Sequence, residues 1–106
     1  MSSVSTHVLD AVRGVPAADV AVTLFAPDGT ESTTAVTDAD GRVGSLGSDL
    51  GPGVYRLRFA TGEYFAAQGV PTFYPEVTIA FIVEDDRHYH VPLLLSPFAY
   101  STYRGS

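Results

Sequence analysis

Apolar and polar residues alternate at every second position along most of this chain, and that pattern limits its fold more than any other feature. In "VAVTLFA", Val20, Val22 and Leu24 alternate with Ala21, Thr23 and Phe25. In "VYRLRFA", Tyr55, Leu57 and Phe59 point one way and Arg56 and Arg58 the other. "VTIAFIV" groups Val77, Ile79, Phe81 and Val83. Successive side chains of a strand leave it on opposite faces, so such stretches make half-buried strands. The turn-forming pieces "PDGT", "DADGR", "GPG" and "SP" separate them. Strands are expected over residues 4–10, 20–27, 32–37, 42–46, 53–60, 76–84, 88–95 and 98–104. Only "TGEYFAAQG" breaks the alternation. It predicts one short helix over 62–68, with Thr61 as N-cap and Gly69 as terminator. Strands and turns at this spacing imply an all-β antiparallel sandwich.

The 106 residues make one domain, 1–106, large enough for a real core. With 45% hydrophobic residues the chain is not a candidate for disorder. A net charge of −6 argues against nucleic acid and anionic membranes as partners, since both select basic patches. The absence of cysteine removes disulfides, thiol nucleophiles and Cys-type zinc sites. No basic stretch followed by an apolar one opens the chain, and no apolar run is long enough to span a bilayer. A cytoplasmic protein is the expectation.

The faces that should meet solvent do not look like solvent faces. In residues 88–95, Tyr89, Val91, Leu93 and Leu95 form the core side, which leaves His88, His90, Pro92 and Leu94 outside. With Val4, Thr6 and Val8 inward, the first strand shows Ser5, His7 and Leu9 outward. In the last strand both faces, Phe98, Tyr100 and Thr102 on one and Ala99, Ser101 and Tyr103 on the other, are apolar enough to be covered. All three histidines thus lie on outward faces of imidazole, hydroxyl and aliphatic character. Such a face points to a second subunit or a ligand lying over it. The plainer alternative is a set of scattered surface residues on a monomer.

Two neutral imidazoles can share one task, one taking a proton from water while the other orients or donates. A guanidinium adds a planar fork of donors for an anionic or urea-like substrate. Arg42 is the candidate, because Asp40–Gly41 before it make a tight turn that fixes where its side chain starts. Otherwise it is a solvated turn residue. Zinc on His88, His90 and His7 is a second option, weakened by the lack of an obvious carboxylate behind them. A calcium loop from Asp38 and Asp40 fails, since Val43 and Asp49 stand where glycine and glutamate belong. No phosphate-binding glycine loop is present. A triad of Ser5, His7 and Asp10 would need Asp10 on the wrong face of its strand. Phe73–Tyr74 reads as a packed loop, and Asp85, Asp86 and Arg87 as a solvated hairpin turn.

"STHVLDAVRGVPA", "TDADGR", "GEYF", "FYPEVTI", "HYHVPLLLSP" and the terminal "YSTYRGS" together resemble the 5-hydroxyisourate hydrolases, the transthyretin-related enzymes of purine breakdown. The likeness runs from about Ser5 to Ser106. It implies a transthyretin-like (prealbumin-like) eight-stranded antiparallel sandwich with one short helix. It also implies a homotetramer, a dimer of dimers, whose central channel is lined by the outward faces of the first, seventh and eighth strands. The implied catalytic set is His7, Arg42, His90 and Ser106. Tyr103, Arg104 and Gly105 join them around the substrate 5-hydroxyisourate, closing the pocket while a neighbouring subunit holds them. His88 would sit at the rim. No metal and no organic cofactor is implied. "VLDAVRG" and "LLSP" also occur in the transthyretins, which carry lysine, threonine and a longer polar tail in place of His7, His90 and "YRGS". A transthyretin-like carrier of a small aromatic ligand is therefore the competing function. A sandwich module of a cell-surface protein is a more distant one.

Overall fold

The computed structural model describes residues 2–105. The alternating stretches form two sheets packed face to face. The elements are β1 Ser3–Asp10, β2 Val15–Pro16, β3 Ala21–Phe25, β4 Glu31–Val36, β5 Arg42–Val43, β6 Gly53–Phe59, α1 Thr61–Ala66, β7 Val77–Val83, β8 His88–Ser96 and β9 Ala99–Thr102. One sheet runs β2-β1-β8-β9, with β5 also paired to β1; the other runs β4-β3-β6-β7. The inward residues read from the alternation meet in the middle. Val4, Val8, Leu93 and Leu95 of one sheet and Val22, Leu24, Leu57 and Phe59 of the other are all buried. Burying such a side chain stabilises the fold by roughly 1.5–3 kcal/mol, and the inward sets supply the two faces of one core.

Several expectations need correction. β1 and β8 run parallel, in an otherwise antiparallel arrangement, from Ser3 opposite His88 to Asp10 opposite Leu95. Periodicity gives the face of a residue but not the direction of its strand, and no hairpin ties these two together. The strand expected over 42–46 keeps only Arg42–Val43, and the pair Val15–Pro16 is an addition. The helix starts at Thr61 with Ala60 as N-cap and no capping side chain; the Thr61 hydroxyl instead faces the Tyr74 carbonyl. Gly69, at φ 67, ends the turn as expected. Residues 84–87 do not form a hairpin, because β7 and β8 belong to different sheets. Phe73 is 71% exposed rather than packed, although its ring meets Tyr74 edge-on. Among the described residues no helix is long and apolar enough to cross a membrane.

Buried polar groups stitch the loops to the sheets. Thr37 lies in the interior, donates its hydroxyl to the Ala17 carbonyl at 2.8 Å and accepts the Val20 N–H at 2.9 Å. Asp10 is buried too; one carboxylate oxygen accepts the N–H groups of Val12 and Arg13, and the other accepts the Tyr64 hydroxyl at 2.9 Å. That contact fastens the end of β1 to α1. Burial, and after it the Asp10 carboxylate, push the Tyr64 phenol above its usual range. Replacing Thr37 by valine keeps the shape but strands a buried donor and a buried acceptor. Thr37→Val should cost about 2 kcal/mol, the penalty for unpaired buried polar groups, measured as a lower midpoint in urea with an unchanged slope.

Candidate active site

Arg42 owes its position to the turn before it. Asp38 Oδ1 accepts the N–H of Asp40 at 2.9 Å and of Arg42 at 3.0 Å, while Gly41 N–H returns to the Asp38 carbonyl. Gly41 has φ 73, and its carbonyl accepts the Val8 N–H at 2.7 Å. A Cβ there would stand 2.3 Å from the Val8 carbonyl oxygen, so only glycine lets the turn lie this close to β1. The turn delivers Arg42 directly opposite His7. The His7 ring faces back to it, with Nε2 2.9 Å from the Asp40 carbonyl. A carbonyl only accepts, so Nε2–H donates, and Nδ1 of neutral His7 keeps its lone pair.

β8 supplies the second imidazole. Ser5 is paired with His90 across the parallel seam, and Ser5 Oγ lies 2.7 Å from His90 Nδ1. On the other side of the ring runs the terminal segment. β9 pairs with β8 as far as Leu93 opposite Thr102. Pro92, which has no N–H to give, interrupts the ladder. Pairing resumes in the same register where Gly105 N–H donates to the His90 carbonyl at 2.9 Å. Gly105, the last of the described residues, is thus bonded to its own β8. A Cβ on Gly105 would come within 2.4 Å of His90 Cδ2, so glycine is what lets the backbone pass the ring. Tyr103, 58% exposed, and the exposed Arg104 follow the same path, and the Arg104 guanidinium lies 5.2 Å from the Tyr89 ring centre. Ser106 lies outside the described residues.

Ser5, Arg42, His88 and His90 border one pocket of about 240 Å³ on the outer face of the sheet. Arg87, His88, Arg104 and Gly105 border the hollow beside it. Three of the six basic residues, Arg42, Arg87 and Arg104, therefore gather around the histidines of a chain with net charge −6. Burial, followed by the positive charges of Arg42, His88 and His7, pushes the His90 imidazole below its ordinary value of 6.5. His90 is consequently neutral at neutral pH, and Nε2 is its ring nitrogen without a hydrogen-bond partner among the described residues. The zinc alternative gains nothing here: among the described residues no three His, Asp or Glu side chains are grouped to hold a metal ion.

Residues 4–105 match the HIUase/Transthyretin family. The chain belongs to that family. It is 48% identical to 5-hydroxyisourate hydrolase of Caulobacter vibrioides over the whole of both chains. It is 43% identical to the probable 5-hydroxyisourate hydrolase of Schizosaccharomyces pombe, covering 98% of this chain and 91% of that protein. Among solved structures, Klebsiella pneumoniae 5-hydroxyisourate hydrolase superposes with a TM-score of 0.92 at 38% identity, covering 100% of this chain and 94% of that one. Sea bream transthyretin in complex with thyroxine gives 0.90, also at 38% identity, with 96% and 93% covered. The backbone is thus common to enzyme and carrier.

His7, Arg42 and His90, picked from the sequence, share one face, and Gly105 closes it. Ser5 and Pro92, read as outward, are buried within the single chain. Missed from the sequence were the bonding role of Ser5 and the place of Arg87. A serine two residues before a histidine on one strand, facing His-x-His on another, was the available signal. It carries meaning only once the two strands are known to pair.

The geometry sets an order of titration. By histidine-resolved NMR, the His90 midpoint should fall below 6.5, and Arg42→Gln should move it upward by removing a positive neighbour. A His90 midpoint at or above the ordinary value would contradict this electrostatic account.

Proposed function

We propose that this chain hydrolyses 5-hydroxyisourate, opening its ring with water to give 2-oxo-4-hydroxy-4-carboxy-5-ureidoimidazoline in urate degradation. The observation that carries the proposal is the meeting of a neutral imidazole, a second imidazole and a guanidinium on one face, beside the terminal segment. Its similarity over the full length to hydrolases from a bacterium and a yeast supports it.

Each group has a task that fits its chemistry. Neutral His90 presents a lone pair at Nε2 and takes a proton from water as the water oxygen attacks the strained lactam carbonyl. His7, with Nε2–H tied to the Asp40 carbonyl, keeps the Nδ1 lone pair free and uses it to orient that water. Arg42 binds the ring oxygens and the negative charge that develops on the carbonyl. Tyr103, Arg104 and Gly105 wall the site and limit the length of what can enter. The proposal assigns no step to a metal or organic cofactor. It places the enzyme in the cytoplasm.

The assembly is part of the same proposal. Phe98 is 65% exposed, and Tyr100 and Tyr103 are exposed beside it. Among the described residues the outer edges of β7 and β9 are both unpaired, with a hollow of about 500 Å³ between the two strands. Unpaired edges and apolar patches of this kind invite a second copy. A homotetramer, a dimer of dimers, would turn the histidine face into the wall of a channel. Sedimentation at micromolar protein should give a tetramer; a monomer would remove the channel from the proposal.

The likeness to a thyroxine complex of transthyretin favours one other function, a carrier that holds a small aromatic molecule on the same face. Turnover separates the two. Added protein should speed the loss of hydroxyisourate absorbance well beyond its spontaneous decay, whereas a carrier would leave the decay unchanged or slow it. His90→Asn should leave assembly and circular dichroism as they are and reduce turnover at least ~100-fold, the lower bound for losing a general base. Because only neutral His90 can act, the rate should hold at neutral pH and fall as pH drops through the lowered His90 midpoint.

A further inference from the structure

A chain of polar contacts that the mechanism above leaves unused runs along the β1–β8 seam. Ser5 Oγ lies 2.7 Å from His90 Nδ1 and 2.7 Å from His88 Nε2. The other nitrogen of His88, Nδ1, meets Ser3 Oγ at 2.5 Å. The four side chains come from alternate positions of two paired strands, Ser3 opposite His88 and Ser5 opposite His90. A serine hydroxyl has one proton to donate and lone pairs to accept with. Placed between two ring nitrogens, Ser5 can donate to one and accept from the other. The tautomers of His88 and His90 are thereby coupled, and the coupling runs from a half-buried ring to an exposed one.

We propose that Ser5 and His88 are positioning residues of the hydrolytic site, relaying a proton so that His90 acts first as base and then as acid. The proposal rests on the hydrolase function above. At the start His90 Nδ1–H donates to Ser5 Oγ, the Ser5 hydroxyl donates to His88 Nε2, and His88 Nδ1–H donates to Ser3 Oγ. This polarity leaves the His90 Nε2 lone pair facing the pocket. Water yields a proton to Nε2 while its oxygen bonds the substrate carbonyl carbon. The Nδ1 proton then passes to Ser5 Oγ as the Ser5 hydroxyl proton passes to His88 Nε2. His90 is again neutral, now with Nε2–H, and His88 is an imidazolium. When the carbonyl–nitrogen bond breaks, Nε2–H protonates the leaving nitrogen and the same two protons move back. Nothing is gained or lost along the relay over one turnover.

The surroundings favour this division of labour. His90 is half-buried, shares its pocket with Arg42 from β5, feels the charge of His7 from β1 and has Gly105 against its ring, so a lasting positive charge on it is opposed. His88 is exposed, and water can hydrate its charge. Two arginines face it, Arg87 and Arg104, and the former is paired with Asp85 at 2.9 Å. A hydrogen bond to Ser5 alone would fix the His90 ring; it takes a titratable group at position 88 to hold the proton.

Variants at position 88 separate holding the ring from moving the proton. His88→Gln keeps a polar partner for Ser5 but cannot titrate, and His88→Ala leaves a gap at an exposed rim. Both should lower turnover on the order of 10-fold, a part of the 10²–10⁴ that a positioned base supplies. Added imidazole should restore His88→Ala and not His88→Gln. His88→Gln turning over at the parent rate across the range in which imidazoles titrate would overturn the relay. An inactive parent chain would refute the hydrolase function instead. The relay would then be judged by 15N NMR of the imidazoles, which needs no substrate. Ser5→Ala, with folding checked by circular dichroism, should change the tautomer and Nδ1 shift of His90, and an unchanged Nδ1 signal would overturn it.

Discussion

The parallel pairing of β1 with β8 is the contact on which the rest of the structure depends. It sets Ser3, Ser5 and His7 beside His88, His90 and Pro92 on one face, and Val4, Thr6 and Val8 beside Tyr89, Val91 and Leu93 on the other. A slip of one residue would exchange the two faces, driving imidazoles into the core and aliphatic groups out of it. Burial of Val4, Val8 and Leu93 therefore holds the register, and the spacing of the polar groups follows from it. The hydrophobic effect here acts on a site that contains almost no hydrophobic group.

Two glycines mark the opposite ends of that site. Gly41 lets the turn before Arg42 press against the backbone of β1, and Gly105 lets the terminal segment pass against the His90 ring. Neither approach tolerates a side chain. Arg42 thus leaves a turn clamped by Asp38, while His90 is gripped between Ser5 and Gly105. Preorganisation of this kind lowers the cost of orienting groups during a reaction, because folding has already met it.

Electrostatics sharpen the contrast between the site and the rest of the molecule. The chain is acidic, yet half of its arginines surround the histidine face. Burial, and after it the positive neighbours, push the His90 imidazole below its ordinary value, and in the proposed hydrolysis the same neighbours would favour an anion developing next to it. Under the proposed hydrolysis one arrangement of charge would serve both ends, with Arg42 acting on the imidazole and on the substrate alike.

Period-2 alternation made the two-sheet architecture and its inward residues legible from the sequence, because burial of one strand face is a local property of residue order. The outward histidines were legible for the same reason, as groups on a face where charged residues would be ordinary. The direction of β1 against β8 was not, since alternation is the same read either way. Nor was the short reach of β5, the crossing of residues 84–87 between sheets, or the link from Ser5 to two imidazoles. Those depend on which distant strands meet, with Ser5 and His88 separated by 83 positions. The order of residues by itself determined which side chains would face outward. Only tertiary pairing decided which of them would touch, because a hydrogen bond needs its partners within about 3 Å, and nothing short of the folded sheet brings these together.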